Sequence, residues 1–194
     1  MRAEWRLHRF VLGILVVLLA TFTGFGLHLR PMLAHPRVEA IGALMIVAVA
    51  ASLFFTMGII AATVALQFQA RHRRELVTYG VLGLMSIFLG IYLAWSRDAG
   101  LPEVALAAAP QAFLFALGEL RLARHLEHHK ALRRSLRVGG VVEAAIGLVL
   151  VYFGAWPAVW SSAEIVNVLI YGAVISLLQL LPLVLYRPGD GLVV

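Results

Sequence analysis

Residues 119–143 read ELRLARHLEHHKALRRSLRVGGVVE. The stretch carries six of the chain's sixteen Lys and Arg residues and three of its seven histidines, and apolar sequence flanks it on both sides. Basic residues beside apolar segments stay on the cytoplasmic side of a membrane, so the pattern reads as the main cytoplasmic connector of a multi-pass protein.

Working outward, the apolar sequence divides into six spans of membrane-crossing length, at about residues 10–29, 39–67, 76–95, 102–119, 138–156 and 164–186. The expected fold is all-α: a polytopic membrane protein whose single membrane domain covers residues 1–194, with a basic connector at 120–137. Arg30-Pro31 is expected to end the first helix, and Arg71-His72-Arg73-Arg74 to close the second. Pro110 is expected to kink the fourth, because proline removes a backbone donor.

Composition supports this reading. Of the 194 residues, 62% are hydrophobic and only 13% are charged, whereas soluble domains carry about a quarter charged residues. The formal charge of +6 is clustered beside apolar segments, which points to anionic lipid headgroups and not to nucleic acid. Cysteine is absent, which removes thiol catalysis, thiolate metal sites and disulfides. Fifteen Arg against one Lys fits a GC-rich bacterial genome.

Orientation follows from counting Lys and Arg. Thirteen fall at the N-terminus, the 2–3 and 4–5 connectors and the C-terminal tail, against three in the other connectors. Both termini are therefore expected in the cytoplasm of a bacterial cell, with the chain in the inner membrane as three hairpins closed on the outer side.

Several residues are candidates for chemistry. His125, His128 and His129 share one face if the segment is helical, the spacing of a histidine box in membrane desaturases. Arg121 and Arg124 share that face and repel a cation, so the expectation is no metal and no cofactor. The simpler reading is a basic helix at the headgroups, with Arg121, Arg124, Lys130, Arg133, Arg134 and Arg137 contacting lipid phosphates. Leu122, Leu126, Leu132 and Leu136 would then dip inward.

Glu119 and Glu143 are expected at the cytoplasmic ends of the fourth and fifth helices, where ionisable groups near the hydrocarbon are costly and tend to be paired or functional. They can meet across the 4–5 hairpin, as a proton site or in ion pairs with Arg121 or Arg137. Glu39, Glu103 and Glu164 read as helix starts, and Ser161-x-x-Glu164 matches a capping box. Asn167, Tyr171, Ser176 and Gln179 are polar positions in the sixth span. They serve as interhelical glue, or Asn167 and Gln179 line a cavity together with Gln111.

The segments GVLGLMSIFLGIYLAW and GVVEAAIGLVLVYFGAW, beginning at Gly80 and Gly140, share a pattern of glycines and a terminal Trp. With Gly83, Gly90, Trp95, Gly147, Trp156 and Pro157, residues 76–187 resemble the HdeD-like six-helix membrane proteins built from short repeated hairpins. That resemblance implies a role in acid or envelope stress, with no enzymatic site. In helix number and length the chain is also similar to the substrate-binding components of energy-coupling-factor vitamin transporters, without their polar outer pocket.

No Walker, dinucleotide, GxSxG or HExxH motif is present. The expected function is therefore non-enzymatic: an accessory subunit of a membrane complex or a stress factor, with a membrane-protein partner or a second copy of itself. The alternative is a small transporter or substrate-binding transport component.

Overall fold

The computed structural model describes residues 2–67, 73–125 and 130–185. Its helices are α1 (Arg2–Leu33), α2 (Glu39–Gln67), α3 (Arg73–Trp95), α4 (Leu101–His125), α5 (Lys130–Ala155) and α6 (Ser162–Leu185), with a short 3-10 turn at Pro157–Val159. Among the described residues there is no strand. Each of the six helices is long and apolar enough to cross a membrane.

The helix ends show why these residues fold locally as they do. At the start of α6 the Ser161 backbone N–H and hydroxyl both donate to Glu164 Oε2, at 2.8 and 2.7 Å, and the Glu164 N–H returns a 3.3 Å bond to Ser161 Oγ. This is the reciprocal capping box that the sequence encodes. At α4 the Gly100 N–H donates to Glu103 Oε2 at 2.7 Å, so that glutamate also closes a helix start.

Three helices run further than their apolar sequence. α1 continues through Arg30-Pro31 to Leu33, because Leu29 and Leu33 are buried and a proline in a final turn removes little bonding. α4 and α5 extend into the basic stretch as far as His125 and from Lys130. Residues 120–137 are thus largely the ends of two long helices and not a separate interfacial helix. Ala123 and Leu136 explain the extension, since both are buried in the protein core with Val11, Leu12 and Leu15 of α1. Leu136 faces protein, not lipid.

The helices are not evenly packed. The closest pairs are α2 with α3 and α4 with α5, followed by α1 with α6 and α1 with α2; contacts of α4 and α5 with the other helices are sparse. Glycine explains the two tightest pairs. A Cβ on Gly83 would stand 2.6 Å from the Ala62 nitrogen, and one on Gly90 2.8 Å from the Phe55 nitrogen, so the α2 and α3 backbones touch. In α5, Gly140, Gly147 and Gly154 recur every seven residues and admit the Ala116 carbonyl, the Phe113 ring and Leu106 of α4. A seven-residue repeat keeps one seam facing its partner along the whole helix.

Apolar side chains cover the exterior, including Leu66, Phe88, Trp95 and Leu148. The exposed hydroxyls of Thr21, Ser52, Thr56 and Thr63 donate to the carbonyl four residues back, at 2.8 to 2.9 Å. Hydroxyls satisfied within their own helix suit a hydrocarbon solvent, which offers no partners.

The core forms two clusters. One, towards the end of the bundle that carries Arg133, Arg134 and Arg137, includes Val11, Met57, Ala61, Leu82, Leu136 and Leu180. The other, towards the opposite end, includes Leu33, Ile46, Val104, Leu150 and Val166.

Candidate functional site

A cavity of ≈ 140 Å³ lies where the two clusters meet, enclosed by α1, α2, α4, α5 and α6. Phe22, Phe54, Met57, Phe115, Ile146 and Leu169 make much of its wall. Three polar side chains interrupt that apolar lining: Gln111 of α4, Glu143 of α5 and Ser176 of α6.

Glu143 is 3% exposed and near the centre of the Arg133–Ala155 span, deeper than the helix end expected from sequence, because α5 begins in the basic stretch at Lys130. Ser176 of α6 lies beside it on the cavity wall. Gln111 is buried at the centre of the Leu101–Leu120 span and donates from Nε2 to Ser86 Oγ at 2.9 Å. Ser86 is fully buried at the centre of the Val77–Trp95 span.

Glu119 lies two turns beyond Gln111 on the same face of α4. Its Oε2 is buried without a hydrogen-bond partner, against Gly139 of α5. Gly139 and Glu143 are one turn apart, and the two carboxylates are near enough to repel each other. Among the described residues neither is ion-paired; Arg137 is exposed, and nothing is described of the Arg121 side chain. Two facing acids without a base must be neutralised by a proton or a bound cation, because an unpaired charge in an apolar interior costs several kcal/mol.

Glycine placement gives Ser86 and Glu143 the same setting. Ser86 follows Gly83 by three residues and precedes Gly90 by four; Glu143 stands in the same positions between Gly140 and Gly147. Each is therefore on the seam where two backbones approach most closely. This shared register is legible in the sequence once the glycines are aligned.

The cavity expected from Gln111, Asn167 and Gln179 is corrected in composition. Gln111 is on its wall, whereas Asn167 and Gln179 are half-buried elsewhere on α6. Ser176 takes their place, because it faces α5 while Gln179, three residues on, does not reach the wall. Gln179 Oε1 is buried without a partner.

The histidine cluster is only partly described. His125 is the last residue of α4, and His128 and His129 lie outside the described residues. Among the described residues no three His, Asp or Glu side chains form a metal-binding group. Of the basic residues expected at headgroups, Arg134 and Arg137 are exposed, and Arg133 is half-buried with an unpartnered Nε. The side chains of Arg121, Arg124 and Lys130 lie outside the described set.

No protein-family model matches the chain, and the curated proteins and the solved structures likewise provide no match.

Proposed function

We propose that this chain is a small membrane-embedded binding protein, a transporter or the substrate-binding component of one, whose solute occupies the central cavity. The observation that carries the reading is a mid-span cavity with Glu143, Gln111 and Ser176 on an otherwise apolar wall. Polar groups inside a membrane are expensive, and a few of them converging on a cavity is the usual form of a small-molecule site. The sparse contacts between the α4–α5 pair and the remaining helices support it further, since a cavity between loosely joined units opens by small displacements.

The proposed setting is a bacterial inner membrane with both termini in the cytoplasm and three hairpins closed outside, supported by the thirteen-to-three distribution of Lys and Arg. Arg134 and Arg137 then meet anionic headgroups.

The test is calorimetric titration of the purified full chain in lipid nanodiscs with benzyl alcohol, a neutral solute of one-ring size. Saturable binding that Ala112→Phe abolishes supports the reading, because Ala112 lines the cavity. Uptake equal to that of empty nanodiscs, for benzyl alcohol and for benzylamine alike, overturns it.

A second reading, an accessory subunit of a membrane complex or an acid- or envelope-stress factor, draws on α3. That helix packs mainly on α2, and it exposes Val81, Leu84, Phe88, Ile91 and Trp95 at alternating three- and four-residue spacing. Such a stripe suits a partner helix from another membrane protein or from a second copy. Gentle extraction followed by native mass measurement tests it: a stoichiometric complex supports it, and a lone monomer overturns it.

A further inference from the structure

The cavity wall restricts the chemistry of its occupant. Among the described residues the only ionisable side chain on it is Glu143, and no basic residue lines the space. Gln111 gives one amide N–H to Ser86, which leaves its carbonyl oxygen and its second N–H for the cavity. The Ser176 hydroxyl lies on the same wall as Glu143 and can donate or accept. The wall therefore presents hydrogen-bonding groups and one acid, surrounded by hydrocarbon.

Three classes of solute do not suit this wall. An anion is repelled by the carboxylate and meets no positively charged donor among the described lining residues. A metal cation needs about six oxygen ligands, and most of the wall is Leu, Phe, Ala and Ile. A neutral hydrocarbon makes no use of the polar groups and leaves Glu143 to be neutralised by a proton. What remains is a cation with an apolar body: its ammonium hydrogens meet the carboxylate and amide oxygens, and its hydrocarbon meets the aromatic and aliphatic wall.

Size narrows the class. An apolar cavity of about 150 Å³ accommodates one benzene ring. The ≈ 140 Å³ here sets a similar limit.

We infer that the central cavity is a site for small lipophilic primary amines, bound as ammonium ions through Glu143. The inference rests on the binding reading above and adds the ligand's charge and size. An ammonium ligand supplies the counter-charge that no basic side chain among the described residues gives Glu143.

The experiment titrates the full chain in nanodiscs at neutral pH with benzylamine, benzyl alcohol and benzoate, with empty nanodiscs as the blank. Benzylamine is expected to bind about tenfold or more tightly than benzyl alcohol, the margin of a charge-assisted hydrogen bond over a neutral one, and benzoate not to bind. Glu143→Gln is expected to reduce benzylamine affinity to that of the alcohol. Should that variant fail to fold, the wild-type comparison still decides, with Ala112→Phe localising binding to the cavity without altering Glu143. Equal affinity for amine and alcohol, with both blocked by Ala112→Phe, overturns the amine inference and leaves the cavity reading intact. Binding of neither overturns both.

Discussion

The Gln111 side chain donates across 2.9 Å to the Ser86 hydroxyl, a buried bond that joins α4 to α3 at the centres of both spans. Ser86→Ala leaves the amide with a buried, unpaired donor and should cost about 1–3 kcal/mol. Ser86→Ala with Gln111→Leu removes both partners and should recover part of that loss, a coupling that thermal unfolding of the four proteins in a double-mutant cycle measures directly.

Glycine substitutions should separate by position. Gly83→Ala places a methyl group against the Ala62 backbone, and should lower stability by about 1–3 kcal/mol. Gly80, one turn away, has nothing within 4 Å of an added Cβ, so Gly80→Ala should be neutral or stabilising by up to about 1 kcal/mol through helix propensity. Melting temperatures in one detergent check the contrast.

Glu119→Gln retains the side-chain shape and removes one of two facing carboxylates. The variant should be more stable than wild type by on the order of 1 kcal/mol, because a buried like-charged neighbour is removed. A lower melting temperature would instead point to an attractive partner for Glu119.

The absence of cysteine makes topology directly measurable. Arg134→Cys should react with a membrane-impermeant maleimide only from the cytoplasmic side, and Arg97→Cys only from the outside. Labelling of both from one side would refute the proposed orientation.

Loss of the α6 cap should be modest and local. Ser161→Ala removes both hydroxyl contacts to Glu164, and about 1 kcal/mol of stability should go with them, read as a lower thermal midpoint.

The spans themselves were legible because hydropathy is a property of composition, and the helix-start role of Glu103 and Glu164 because capping is local. The true lengths of α4 and α5 were not. Their arginines and histidines read as a connector, whereas Ala123 and Leu136 continue the helices by packing against α1. Such contacts between distant parts of the chain leave no local trace. The same limit explains the cavity. Hairpin geometry leads to the expectation that Glu119 and Glu143 meet across α4 and α5, but not to the central depth of Glu143. Ser176 was exchanged for Asn167 and Gln179 because helix rotation is set by neighbours, and a nearly uniformly apolar helix carries little stripe to orient it.

Among the six spans α4 is the least apolar and the most buried, and it carries Pro110, Gln111 and Glu119. Such a segment partitions poorly into lipid on its own. Its glycine-fitted neighbour α5 is synthesised immediately after it, so the two should leave the translocon together as one helical hairpin. Biogenesis would then depend on Gly140, Gly147 and Gly154, and substitutions at that seam would appear first as failed insertion, before any effect on the folded protein could be read.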